Sequence, residues 1–233
     1  MDRITRKALK DDRFAAEVTH SVEYLSEHRR QALLYGGIGA AVLAAVLGAF
    51  FYLRHRDNAA HMALYKALET YHALITEEER PGRITFKTDE ERLKQSLKEM
   101  EAVMAQHARA REGKVARYYT ALILKETGNA AEARKRLEQA VGQGPAEVAA
   151  LARLELADLH LAQNQPEEAR KLLEHLVKNP TSTVPEARAR LALANSLKTT
   201  KPQEARKILE DLQKRIGPVS IVASGVLREM GAP

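Results

Sequence analysis

The sequence predicts an all-α protein, a solenoid of helical hairpins carried on a single transmembrane helix, and three observations predict it. Residues 32–53 run ALLYGGIGAAVLAAVLGAFFYL without one charged side chain. The string EARKxLE occurs at 132–138, 168–174 and 204–210, a fixed period of 36 residues. Ala, Leu, Glu, Lys and Arg dominate a chain with no Trp, no Cys and 5% aromatic residues, which favours helix over strand. The missing cysteines also exclude a disulfide framework, a thiolate zinc site and a cysteine nucleophile.

The elements follow in chain order. Residues 1–31 form a short tail with seven basic residues, Arg3, Arg6, Lys7, Lys10, Arg13, Arg29 and Arg30. Phe14, Val18, Val22 and Leu25 fall at helical spacing within it, which predicts an amphipathic helix. Residues 32–53 are the transmembrane helix, since 22 residues at about 1.5 Å each span about 33 Å, the thickness of a hydrocarbon core. His28, Arg29 and Arg30 before it and Arg54, His55 and Arg56 after it suit headgroups, so the lipid contact is through this one span. The 20 residues on either side of the span carry three basic residues each, so the seven of the whole tail favour a cytoplasmic N-terminus with the C-terminal domain on the other side of the membrane. Gly36, Ala40, Ala44 and Gly48 recur every fourth residue, a stripe along which two copies of the helix can approach closely and form a homo-oligomer.

Residues 54–112 hold a linking helix and a divergent first hairpin. One apolar stripe runs through Leu64, Leu68, Tyr71 and Ile75, a second through Leu93, Leu97, Met100 and Met104, with Pro81 and Gly82 between them. Residues 113–217 hold the three repeats. Each EARKxLE helix is preceded by another helix and a turn, the turns being Gly128-Asn129, Asn164-Gln165-Pro166 and Lys201-Pro202, the last one residue shorter than the others. Pro166 and Pro202 suit the first turns of the second helices, and Pro145 and Pro185 those of the next first helices. Thr183 and Glu186 have the spacing of a capping box. Residues 218–233 supply a terminal capping helix with a polar back.

In these repeats the chain resembles the tetratricopeptide repeat (TPR) family. Ala121, Ala157 and Ala194 match the small position of its first helix, and Ala133, Ala169 and Ala205 that of its second. Gly128 matches the turn glycine and Pro145 the closing proline, whereas Arg117 and Arg153 stand where an aromatic is usual. The resemblance implies a protein-binding array whose first helices line a concave face. On that register the face carries Tyr118, Leu122, Lys125, Leu154, Asp158, Leu161, Arg188, Leu191, Asn195 and Lys198. The order of tail, span and repeats is similar to that of the bacterial YfgM-like family. That likeness implies an ancillary role beside the Sec translocon, with periplasmic chaperones as partners.

No phosphate-cradling glycine loop, His-Glu-x-x-His or Gly-x-Ser-x-Gly string is present, so the expectation is a protein without catalytic residues, metal ligands or cofactor. Basic and acidic residues, 37 and 31, are interleaved and not clustered, which argues against nucleic acid as a partner. Two classes of function remain. One is a membrane-tethered scaffold that recruits protein partners, and the other a periplasmic holdase that binds unfolded segments. Lys125, Asp158, Arg188 and Lys198 interrupt the apolar residues of the inner face and favour the scaffold.

Overall fold

The computed structural model describes residues 29–78 and 81–231. The amphipathic helix expected over Phe14–Leu25 and the basic residues Arg3 to Arg13 lie outside them. The chain divides into two compact units, Met1–Arg56 and Asp57–Pro233.

In the first unit, the described residues belong to α1 (Arg29–Tyr71), which continues into the second unit. Among the described residues this is the one helix long and apolar enough to cross a membrane, and none of its apolar window is buried in protein. Leu34, Val42, Leu47 and Phe51 are all exposed, and a side chain added at Gly36 or Gly48 would meet open space.

The second unit is a series of antiparallel helices: α2 (Asp89–Gln106), α3 (Arg111–Glu126), α4 (Ala130–Gln143), α5 (Ala146–Ala162), α6 (Pro166–Lys178), α7 (Glu186–Leu197), α8 (Pro202–Gln213) and α9 (Pro218–Glu229). Each helix from α2 onward packs chiefly on its sequence neighbours. The core is accordingly a chain of clusters. Leu93, Met100 and Val103 meet Ala67, Ala116 and Ile123 at the start. Leu137 and Leu156 anchor the next cluster, Leu173 and Leu193 the third, and Leu209 and Leu212 close on Ala223 of α9.

The EARKxLE signature explains this packing. Its Ala and its Leu stand four residues apart, on one helix face, and Ala133, Ala169, Ala205, Leu137, Leu173 and Leu209 are all at most 1% exposed. Each buried Leu contributes about 2 kcal/mol of apolar transfer, and each Ala lets the neighbouring backbone come close. The charges of the signature sit on the other face and pair along the helix, Arg134 with Glu138 at 3.1 Å and Arg170 with Glu174 at 2.6 Å.

Turns and caps follow the sequence with four differences. The stripe of the first hairpin ends at Tyr71, because the chain leaves the helix there and Ile75 enters a two-residue parallel pairing, Leu74–Ile75 with Thr85–Phe86, where it is exposed. Pro145 and Pro185 occupy N-cap positions with extended ψ values of 156° and 155°, one residue before the first turn, whereas Pro166 and Pro202 open their helices as expected. The Thr183–Glu186 capping box does not form, since α7 starts only after Pro185, and the Thr183 hydroxyl instead donates to the Glu147 carbonyl at 2.8 Å. The terminal helix α9 is not polar-backed: Ile221 and Val222 are exposed on it, as is Ile216 before it. In α2 Thr88 is the N-cap, accepting from the Glu91 N–H at 3.2 Å, with Asp89, Glu90 and Glu91 in the first turn where the helix end favours negative charge.

Candidate protein-binding face

The first helices of the three repeats, α3, α5 and α7, bring together one set of polar side chains. Lys125 on α3 bonds the Glu155 carboxylate on α5 through Nζ at 2.6 Å. One turn further along α5, Asp158 remains exposed. The surrounding protein desolvates its carboxyl and Glu155 repels it, which raises its pKa above the ordinary value, while Lys125 and Arg188 pull the other way. Arg188, at the start of α7, is exposed and donates to the Thr183 carbonyl at 3.0 Å. Tyr118 on α3 lies within electrostatic reach of both Glu155 and Arg188, and burial, then Glu155, raises its phenol well above its usual range. Three repeats thus contribute to one neighbourhood, and the same three helices carry half-buried Leu122, Leu161 and Leu191, each packed on a different core cluster.

The residues singled out from the sequence fall into three groups here. Asp158, Arg188 and Asn195 are exposed, and Lys125 and Lys198 are about a third exposed, so these can meet a ligand. Lys198 also reaches Glu229 of α9 at 3.7 Å. Tyr118 and Leu154 are 7% and 8% exposed and serve as packing, Tyr118 against the Leu137 cluster and Leu154 against the Leu173 cluster. The small positions Ala121, Ala157, Ala194, Ala133, Ala169 and Ala205 are all 0% exposed at the helix contacts. Glu155 was not among the residues that the sequence marked. Its one signal is the lysine 30 residues before it, and only the packing of α3 on α5 turns that separation into a contact.

A second polar junction ties the first hairpin to the repeats. The Tyr71 hydroxyl donates to Glu126 Oε1 at 2.6 Å, and the Arg92 guanidinium lies 5.4 Å from the Tyr71 ring centre while donating to the Tyr71 carbonyl. Tyr119 meets the same ring edge-on at 5.6 Å. His160 is 8% exposed and its Nδ1 bonds Gln165 Oε1 at 2.7 Å, a structural tie between α5 and the turn after it.

Comparisons with known proteins agree with the fold. The family model of the tetratricopeptide repeat-like domain matches residues 31–183, and that of the tetratricopeptide repeat matches residues 154–220. Among solved structures, the chain is similar to a crystal structure from Podosopora anserina described as a kinesin light chain with nearly identical TPR-like repeats. The identity is 19% and the TM-score 0.51, over 77% of this chain and 85% of that one. A point variant of the same protein matches with the same identity and TM-score, over 84% of its length. At this identity the likeness establishes the fold alone. No curated protein matches the chain.

Proposed function

Because the chain belongs to the tetratricopeptide repeat-like family, we propose that it is a membrane-anchored scaffold that holds protein partners on the face formed by α3, α5 and α7. Proteins built of these repeats serve in protein–protein interaction and are typically not enzymes. The observation that carries the reading is the set of exposed Asp158, Arg188 and Asn195 side chains, from two successive first helices, beside half-buried Leu161 and Leu191. Polar groups interspersed with partly covered leucines suit a defined partner surface, whereas a holdase needs a broad apolar one.

Residues 32–53 are the anchor, on the strength of their length and composition. The basic tail supports a cytoplasmic N-terminus with the repeats on the periplasmic side of a bacterial inner membrane. Gly36, Ala40, Ala44 and Gly48 supply the line along which two anchors pair. The order of tail, span and repeats supports partners at the Sec translocon and among periplasmic chaperones.

The test is crosslinking in intact membranes, comparing the wild type with an Asp158→Lys, Arg188→Glu variant. These positions are exposed, so the variant retains the fold, which Tyr118→Ala or Leu154→Ala would not. Loss of specific partners in the variant supports the scaffold. Undiminished recovery removes this face from the mechanism, and a broad set of unfolded clients points to the holdase. A periplasm-specific reporter fused after Pro233 tests the orientation.

A further inference from the structure

Arg117, Arg153 and Arg190 hold the same place in the first helices of the three repeats, but among the described residues only two of these side chains have a partner. Arg190 is paired twice, its Nε with Glu186 at 3.0 Å and its NH1 with the Asp211 carboxylate of α8 at 2.7 Å. Arg117 donates to the Gln143 side chain at the end of α4. The Arg153 guanidinium makes no hydrogen bond or ion pair to any described residue.

The sequence gives the reason. Counted back through the repeats, Glu186 corresponds to Ala149, 37 residues earlier, and Asp211 to His175, 36 residues earlier. Both acidic partners of the third repeat are therefore missing from the second. His175 is exposed on α6, and burial followed by the Arg153 charge keeps its imidazole below the usual pKa. Desolvation likewise lowers the Arg153 guanidinium with no acid to offset it. Lys178, the counterpart of Lys214, is exposed one turn after His175 at the end of α6 and bonds no described side chain. By the same count Leu156, 5% exposed, and half-buried Leu172 hold the places of Leu193 and Ile208. In the third repeat the corresponding groove, lined by Arg190, Leu193, Ile208, Asp211 and Lys214, has a volume of 590 Å³.

We propose that the seam of Arg153, His175 and Lys178 between α5 and α6 binds an acidic side chain of a protein partner, whose carboxylate takes the role that Asp211 plays for Arg190. A guanidinium partly withdrawn from water gains most from a charge-assisted bond to a carboxylate, and the apolar floor accommodates the methylene stem of a glutamate. This site lies apart from the α3, α5 and α7 face and stands or falls independently of it.

The experiment uses the full chain in phosphatidylcholine nanodiscs and a blocked pentapeptide, acetyl-Ser-Glu-Leu-Glu-Ser-amide, with its Gln-for-Glu twin as control. Fluorescence anisotropy reads affinity, and the His175 ring proton in NMR reads location. The Glu peptide binds about tenfold tighter than the twin and shifts the His175 signal. Arg153→Gln reduces binding to the level of the twin. His175→Asp does the same while leaving the melting temperature unchanged or raised, because it gives Arg153 an internal partner. Equal binding of both peptides, or undiminished binding by His175→Asp, overturns the proposal. So does an unmoved His175 signal, or binding only to phosphatidylglycerol vesicles, which would assign the seam to a lipid surface.

Discussion

Gly128 and Asn164, 36 residues apart, adopt the same left-handed backbone conformation, with φ of 83° and 57°. Each closes the first helix of its repeat in the same way. The N–H after it bonds back across the turn, Asn129 to the Leu124 carbonyl and Gln165 to the His160 carbonyl, both at 2.8 Å. The third turn, shorter by one residue between Ala194 and Ala205, has no such residue, and Lys198 stays in the right-handed helical region.

Replacing Gly128 with Ala therefore costs about 1 kcal/mol, the penalty of a Cβ in the left-handed region. Asn164→Ala costs a similar amount and Asn164→Gly far less, while Thr199→Ala, in the third turn, changes little. Urea unfolding of the four variants gives the comparison, and equal effects at Gly128 and Thr199 would contradict the turn assignment.

Ala169 lies at 0% exposure in the cluster that joins Leu173 and Leu193. Ala169→Leu adds volume where the helices touch and destabilises by about 1–3 kcal/mol. Ala162→Leu, at an exposed position at the end of α5, stays within about 0.5 kcal/mol of wild type. Thermal melts distinguish the two.

Gly113 is buried in the first turn of α3, and a methyl group there would strike the His107 carbonyl oxygen. Because that atom is backbone, the loop before α3 has to move. Gly113→Ala lowers stability by more than about 1 kcal/mol despite the better helix propensity of alanine. Gly142→Ala, in α4 with open space around it, raises stability instead. Opposite signs in denaturant melts are the expected outcome.

His175 titrates below its ordinary value because of partial burial and the nearby Arg153 charge. A histidine whose folded pKa is depressed binds protons more tightly in the unfolded chain. The stability it contributes is present above the unfolded pKa of about 6.5 and is lost as pH falls through the folded value. Arg153→Gln raises the His175 midpoint in an NMR titration and narrows that window of acid sensitivity. An unchanged midpoint would separate the two residues electrostatically.

The helical hairpins were legible because the signature repeats at a fixed interval and its Ala and Leu share a helix face. That periodicity is a local property, and it located every helix of the three repeats. Ile75 misled because it continues the stripe of Leu64 and Leu68 by spacing alone, whereas the chain leaves the helix after Tyr71. The capping-box spacing of Thr183 and Glu186 failed for a similar reason, since Pro185 delays the start of α7 and frees Thr183 to bond another repeat.

By itself, then, the sequence determined the helical class, the 36-residue stacking unit, the membership of the small alanines in the core and the apolar run of 32–53, because each is written in residue spacing along one helix. Tertiary structure alone decided which polar groups meet. Lys125 finds Glu155, Arg190 finds Asp211, and Arg153 finds no acid among the described residues, because these meetings arise only when helices from different parts of the chain pack side by side. The same packing withdrew Tyr118 and Leu154 from the surface that their register assigned them and left Asp158 and Arg188 on it. Burial depends on how closely neighbouring helices approach, and a spacing along one helix carries no measure of that.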